Sequence, residues 1–210
     1  MEDMKDKKIA VVVGGPSTEA EVSRRTGAAI AEALQSIGYD AQTLELRPAT
    51  VIEDIRSMGG EVVFNAIHGR YGEDGAVQGA LELAGIPYTG SGIMAHAVGM
   101  NKKISKDAFK GAGIPTADSQ SYDGRRLSAE EIGEAINERF GLPVVLKPAT
   151  QGSSIGVVIV RDGAKLLSAV KEALQYDPIL VAEHFLDGGE FTVGVLDGKA
   201  LPVIEIRPHS

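Results

Sequence analysis

Residues 9–13, Ile9-Ala10-Val11-Val12-Val13, form an unbroken apolar and largely β-branched run. That pattern predicts a strand covered on both faces, as in the interior of a parallel sheet. Gly14-Gly15-Pro16-Ser17 follows as a turn with helix-start chemistry. Val22, Ala29, Ile30, Ala33 and Leu34 then recur at helical spacing, and Gly38 closes the helix. A second strand fits residues 41–46, a short helix 51–57 and a third, mostly apolar strand 61–67. Beyond a Gly-rich loop, Ala76, Leu81, Leu83 and Ala84 predict another helix, stopped by Gly85-Ile86-Pro87. Strands and helices alternating with short connections predict an α/β fold with a doubly wound, Rossmann-like parallel sheet.

The rhythm changes near residue 100. Residues 102–111 read as a basic helix, and Gly113-Ile114-Pro115-Thr116 as its stop. Ser128 is placed to cap a helix running to Phe140, with Glu131 three residues on completing a capping box. Residues 143–148 and 155–160 read as strands, 164–176 as a helix, and 179–185, 191–196 and 201–206 as further strands. Asp197-Gly198 is a strong hairpin turn between the last two. The order predicts an N-terminal parallel α/β domain over 1–100, a smaller α+β unit over 101–186, and the first strands of a third unit over 187–210. Arg207-Pro208-His209-Ser210 follows a strand with no closing helix, so that third unit is expected to be incomplete.

Composition narrows the function. With 21 basic and 29 acidic residues the chain carries a formal charge of −8, which argues against a nucleic-acid-binding surface. It has no cysteine, so disulfides, thiolate metal sites and a cysteine nucleophile are ruled out. The start, Met1 to Lys8, is charged, and the apolar run after it is too short for a signal-peptide core. No run approaches the ~20 apolar residues of a membrane span. A cytoplasmic protein without a membrane partner is expected.

Several constellations fall where the predicted strands end, the ligand-binding side of open α/β sheets. Gly14-Gly15-Pro16-Ser17-Thr18-Glu19-Ala20-Glu21 joins the first strand to a helix. It lacks the G-x-G-x-x-G turn of dinucleotide sites, and its two glutamates suit an amine, or merely complement the helix macrodipole. His68-Gly69-Arg70-Tyr71-Gly72-Glu73-Asp74-Gly75 holds more glycine than a turn needs, and His68 can donate to a carboxylate or be a loop histidine with no partner. Lys147-Pro148, followed by Gln151-Gly152-Ser153-Ser154-Ile155-Gly156, can fold over a triphosphate through amides, hydroxyls and a cation, or can be a flexible hairpin loop. Glu183-His184-Phe185-Leu186 and Glu190 flank Asp187-Gly188-Gly189 and can offer groups to an adenine and a ribose, or simply border an ordinary linker. Lys102 and Lys103 read by default as solvated helix charges.

Taken together these segments resemble the D-alanine–D-alanine ligase family of ATP-grasp enzymes. The matching pieces are Gly14-Gly15-x-Ser17-x-Glu19-x-Glu21-Val22-Ser23, His68-Gly69-x-x-Gly72-Glu73-Asp74-Gly75, Tyr88-Thr89-Gly90-Ser91-Gly92, Lys147-Pro148 with Gly152-Ser153-Ser154-x-Gly156, and Glu190-Phe191-Thr192-Val193. They run in family order across essentially the whole chain. The resemblance implies a pre-ATP-grasp N-terminal domain, an ATP-grasp subdomain, and ATP-dependent joining of two D-alanines through an acyl phosphate for peptidoglycan synthesis. It implies that Glu19 holds the ammonium of the first D-alanine, that His68 contacts its carboxylate, and that Ser153 links with Glu19. It gives Lys102, Lys147 and Ser154 to the ATP phosphates, Glu183 and the backbone of His184, Phe185 and Leu186 to adenine, and Glu190 to the ribose. Mg²⁺ is implied as a cofactor, with ligands expected beyond residue 210, and a homodimer as the assembly.

Asn101 and His184 depart from the Asp and Lys more usual at those places. Without the family's metal ligands, oxyanion arginine and closing loop, residues 1–210 alone are expected to be inactive. Other readings stay open: a non-catalytic nucleotide- or amino-acid-binding module, or a ligase taking D-lactate or D-serine second. A dinucleotide-dependent oxidoreductase is disfavoured by the missing glycine turn.

Overall fold

A computed structural model describes residues 4–207; residues 1–3 and 208–210, parts of the charged start and the Pro-His-Ser close, lie outside the described residues. The first sheet has the order β2-β1-β3, with β1 (Lys8–Val13) at its centre, flanked by β2 (Asp40–Glu45) and β3 (Val62–Asn65). Both pairings are parallel, with Ile9 opposite Ala41 on one side and Val62 on the other. Alternate residues of β1 therefore enter different cores. Ile9, Val11 and Val13 face α1 (Ala20–Ser36), where they meet Ala31 and Ala66. Ala10 and Val12 face α2 (Val51–Ser57) and α3 (Ala76–Ala84), where they meet Ile55, Val63 and Leu81. Helices on both faces explain the uninterrupted apolar run in β1. A parallel bridge from Val63 to Tyr88 extends the sheet beyond β3.

Two helix faces differ from the periodicity. Helix α1 buries Ser23, Gly27 and Ala31, and Ile30 and Leu34 pack partly buried against the same core, whereas Val22, Ala29 and Ala33 are exposed. The reason is close approach: a Cβ on Gly27 would lie 2.0 Å from Val13 Cγ1, so a small-residue stripe seats the helix on the sheet. In α3, Leu81 is buried but Leu83 points to solvent. Strand β3 ends before its expected limit, at Asn65, the last residue in register with β1 (opposite Val12). The Asn65 side-chain amide donates to Gly72 O (2.8 Å), and its side-chain oxygen accepts from Ile67 N (3.2 Å). His68 therefore sits in the loop beyond the strand.

The unassigned stretch after the Gly-rich turn is a helix, α4 (Ile93–Met100), which buries no residue. Next comes α5 (Lys102–Gly111), started by Asn101, whose side chain accepts from Ile104 N. The second sheet has the order β4-β7-β5-β6 and is antiparallel throughout. It comprises β4 (Ser119–Asp123), β5 (Val144–Pro148), β6 (Val158–Val160) and β7 (Ile179–His184). The edge strand β4 was not anticipated: it is polar except for buried Tyr122.

Helices α6 (Ala129–Phe140) and α7 (Leu166–Ala173) cover this sheet through Ile132, Ile136, Leu166 and Val170, packed with Val144, Leu146 and Leu180. The capping box at Ser128 and Glu131 is present in both directions. The helix expected over 164–176 is shorter, a 3₁₀ turn (Gly163–Lys165) leading into α7.

The last strands are shorter and more numerous than expected. Strand β8 (Glu190–Thr192) pairs with β11 (Ile204–Ile206), and β9 (Val195–Leu196) with β10 (Lys199–Ala200). Gly194 accepts from Leu201 N across the interruption, and Pro202 has no N–H for a ladder. Asp197 (φ 50°) and Gly198 (φ 74°) form the two-residue turn between β9 and β10, the left-handed pair a type I′ hairpin requires.

Candidate functional site

The junction of the two sheets is built around Glu19. This residue precedes α1 and its side chain makes no helix cap. It is 7% exposed, and its Oε1 accepts a hydrogen bond from Ser153 Oγ, in the loop between β5 and β6. Glycines hold the carboxylate on two sides: a Cβ on Gly69 would lie 2.5 Å from Glu19 Oε2, and one on Gly152 2.8 Å from it. Any side chain at either place would displace Glu19. Glu21 instead is exposed and lies 3.6 Å from Arg24, the macrodipole-and-surface role open to both glutamates from spacing.

Ser17 ties this carboxylate segment to the His68 loop. Its hydroxyl donates to His68 O (2.9 Å) and accepts from Glu19 N (3.1 Å). His68 Nδ1 lies 3.3 Å from Glu73 Oε1, and the other Glu73 oxygen accepts from Gly69 N (2.9 Å). The glycines of this loop thus serve close approaches: Gly69 to Glu19, Gly72 to Ile67 and Gly75 to Ile93. A cavity of about 700 Å³ opens beside Glu19, lined also by Ser17, Arg70, Met100, Gln151 and Asp177.

The Ser153 loop is conformationally forced. Ser153 (φ 47°), Ser154 (φ 59°) and Gly156 (φ 70°) all occupy left-handed backbone, which costs a non-glycine residue of order 1 kcal/mol. Asp177 braces the loop's start: one oxygen accepts from Thr150 N (2.9 Å), the other from Ile179 N (2.7 Å). Lys102 reaches the loop from α5 and donates to Gln151 O. Lys102 is no solvated surface charge: burial, and then the neighbouring Lys147 cation, hold its ammonium below the usual lysine range, with Asp177 and Glu183 only partly offsetting them. Lys103 does have the exposed role, pairing with Asp107 at 2.9 Å.

Lys147 Nζ bonds Glu183 Oε1, and Lys106 Nζ lies 2.8 Å from Glu183 Oε2. Burial pushes the Glu183 carboxyl up, but bonds to Lys106 and Lys147 outweigh it and leave the group below the ordinary carboxylate range. Lys106 was not singled out from sequence. Its spacing of four from Lys102 on a helix puts both on one face, which was the available signal.

The rest of the expected nucleotide segment is less converged. The His184 backbone N–H is taken by Asp118 O (3.1 Å), so it is not a free donor, and the His184 ring meets Phe140 edge-on at 5.1 Å. Arg161 lies over the Phe185 ring at 4.6 Å, and Leu186 is exposed. Ser154 and Glu190 are exposed, and Glu190 opens β8 in a separate two-stranded sheet.

Residues 108–210 match the family described as D-ala D-ala ligase C-terminus, and residues 48–91 the one described as D-ala D-ala ligase N-terminus. The D-alanine–D-alanine ligase of Actinobacillus pleuropneumoniae is 47% identical over 206 residues, covering 98% of this chain and 67% of the relative. The chain belongs to the D-alanine–D-alanine ligase family.

A second ligase of this family, from Anaeromyxobacter sp., is 46% identical over 202 residues, covering 96% of this chain and 64% of the relative. The crystal structure of the D-alanine–D-alanine ligase from Bacillus anthracis complexed with ATP superposes with a TM-score of 0.83 at 34% identity, covering 97% of this chain and 67% of that one. The chain thus spans about two thirds of the length of these ligases. Among the described residues no group of three or more His, Asp or Glu could hold a metal ion. The Mg²⁺ implied by the resemblance therefore finds no ligand set there, and no step is assigned to it. No helix among the described residues is long and apolar enough to cross a membrane.

Proposed function

We propose that residues 1–210 form the substrate-binding face and part of the nucleotide grip of an ATP-dependent D-alanine–D-alanine ligase acting in peptidoglycan precursor synthesis. A carboxylate oxygen of one D-alanine attacks the γ-phosphorus of ATP, the bond to ADP breaks, and an acyl phosphate forms. The amine of a second D-alanine then attacks the acyl carbon, expelling phosphate and losing a proton. Residues 1–100 serve the amino acid, 101–186 the nucleotide, and 187–210 begin the far wall of the nucleotide cleft.

The observation that carries this reading is the Glu19–Ser153 contact at the junction of the two sheets. Glu19 is an acceptor suited to an α-ammonium. The His68 loop, tied to it by Ser17, places an imidazole for the carboxylate. The setting of Lys102 supports an anion site, because burial and then the neighbouring Lys147 cation disfavour its ammonium, and a phosphate between them would relieve that. Ser154 and the loop amides add donors. Glu183 is an acceptor for an adenine amino group and Glu190 for ribose hydroxyls. A cytoplasmic homodimer is part of the same reading and rests on the family resemblance.

The test is saturation-transfer NMR on this chain with millimolar ligands. D-alanine receives saturation and L-alanine far less, Glu19→Gln abolishes the D-alanine signal, and ATP receives saturation that Lys147→Met weakens. Equal signals for the two alanine enantiomers, or none from ATP, would sink the reading.

A further inference from the structure

Lys106 is the most completely engaged lysine near the candidate nucleotide site. An ammonium has three donors, and all three are used: Glu183 Oε2 at 2.8 Å, Thr116 Oγ1 at 2.8 Å and Ala117 O at 3.0 Å. Its side chain is 12% exposed, against 29% for Lys147. Lys147 bonds the other oxygen of the same carboxylate. The two cations on Glu183 are thus unequal. One is locked by α5, the segment before β4 and β7 together; the other is more exposed and reaches Glu183 across a neighbouring strand.

We infer that Lys106 is a positioning residue that keeps Glu183 aimed at the base edge of a bound purine nucleotide, while Lys147 is the exchangeable partner that leaves Glu183 for phosphate. This rests on the proposed nucleotide site. Glu183 is 8% exposed at its side chain. Once Lys147 departs, an almost buried carboxylate would be left with no cation unless Lys106 stayed. An ionised carboxylate only accepts hydrogen bonds. It therefore selects a base with an amino group at position 6 over one with a carbonyl there. Lys106 does not touch the nucleotide. It fixes the ionisation and direction of the group that does.

The experiment compares ATP with ITP, which carries a carbonyl in place of the 6-amino group and an N1–H in place of adenine's unprotonated N1, with purine riboside triphosphate, which lacks only the amino group, as the control expected to bind as weakly as ITP. Affinities are read by saturation-transfer NMR on the full 210-residue chain, a method that reaches millimolar dissociation constants. Wild type is expected to prefer ATP by about tenfold, the scale on which one satisfied polar contact discriminates. Lys106→Met is expected to erase most of that preference, and Lys106→Arg to restore most of it. Lys147→Met is expected to weaken both nucleotides about equally and so keep the ratio. Should Lys106→Met fail to fold, Lys106→Gln is read instead and gives an intermediate preference.

A folded Lys106→Met protein with wild-type preference overturns the inference alone, as does one that weakens ATP and ITP in proportion, since loss of general support would do that. A wild type that binds neither nucleotide overturns the functional reading and the inference with it.

Discussion

The Ser153 hydroxyl donates to the Glu19 carboxylate across 134 positions of sequence. Glu19 belongs to the rim of the parallel sheet and Ser153 to a loop of the antiparallel one, so this bond reports whether the two layers are docked around the site. A double-mutant cycle of Glu19→Ala and Ser153→Ala is expected to give a coupling of about 1.5–3 kcal/mol, the range for hydrogen bonds to charged groups. Urea unfolding measures it. Coupling within experimental error would place the two side chains apart in solution.

Gly27 is where helix α1 touches the sheet. Alanine is favoured over glycine in a helix by roughly 1 kcal/mol, but here its Cβ would meet Val13 Cγ1 at 2.0 Å. Overpacking costs about 1–3 kcal/mol, so Gly27→Ala is expected to destabilise by about 1 kcal/mol net. Val13→Ala should cost less in the Gly27→Ala background than in the wild-type chain, because it removes the Cγ1 that the new Cβ meets. Guanidinium midpoints decide it, and a stabilised Gly27→Ala protein would show that the helix stands off the strand.

Glu183 ionises more readily in the folded chain than its ordinary value of 4.5 allows, because the bonds to Lys106 and Lys147 outweigh burial. A depressed folded value means the stabilisation is complete above the unfolded value and disappears as pH falls through the folded one. Glu183→Gln is expected to lower stability at pH 7 by about 1–3 kcal/mol, with the deficit shrinking from pH 4.5 downward. Urea midpoints at pH 7 and pH 3 test this. A deficit of the same size at both would assign the loss to packing instead of charge.

Lys102 has the opposite balance. Burial and Lys147 disfavour its charged form, so folding opposes protonation there. Stability is expected to rise with pH from the folded value of Lys102 up to 10.5, the ordinary lysine value. Lys102→Met should raise the thermal midpoint at pH 7 and remove that alkaline rise, while weakening ATP binding. A lower midpoint would mean that the bond to Gln151 O is worth more than the relief of repulsion.

Elements whose signal is local were legible before any coordinates. The run 9–13 is β1, the Ser128–Glu131 box starts α6, and Asp197-Gly198 is a hairpin turn. Helix α4 was not legible, because Ile93-Met94-Ala95-His96-Ala97-Val98-Gly99-Met100 has no polar face and no capping side chain. The packed stripe of α1 is legible only in part: periodicity finds Ile30 and Leu34, which pack on the sheet, but not Ser23, Gly27 and Ala31, small residues that the close approach selects.

At the site, Glu19, Ser153 and Lys147 were nominated from strand ends and glycine-rich loops. Lys106 was not, since a helix lysine is solvated unless another element covers it. Here β7 and Thr116 do so.

By itself the amino-acid order determined most strands, most helices, the turns and the family, because each depends on neighbours a few positions apart or on motifs in series. The tertiary structure alone decided which charges are buried and with whom. Glu19 meets a serine from the other sheet, and Glu183 lies between two lysines from different elements. Desolvation and Coulomb energy depend on distance in space, which no local pattern of residues encodes.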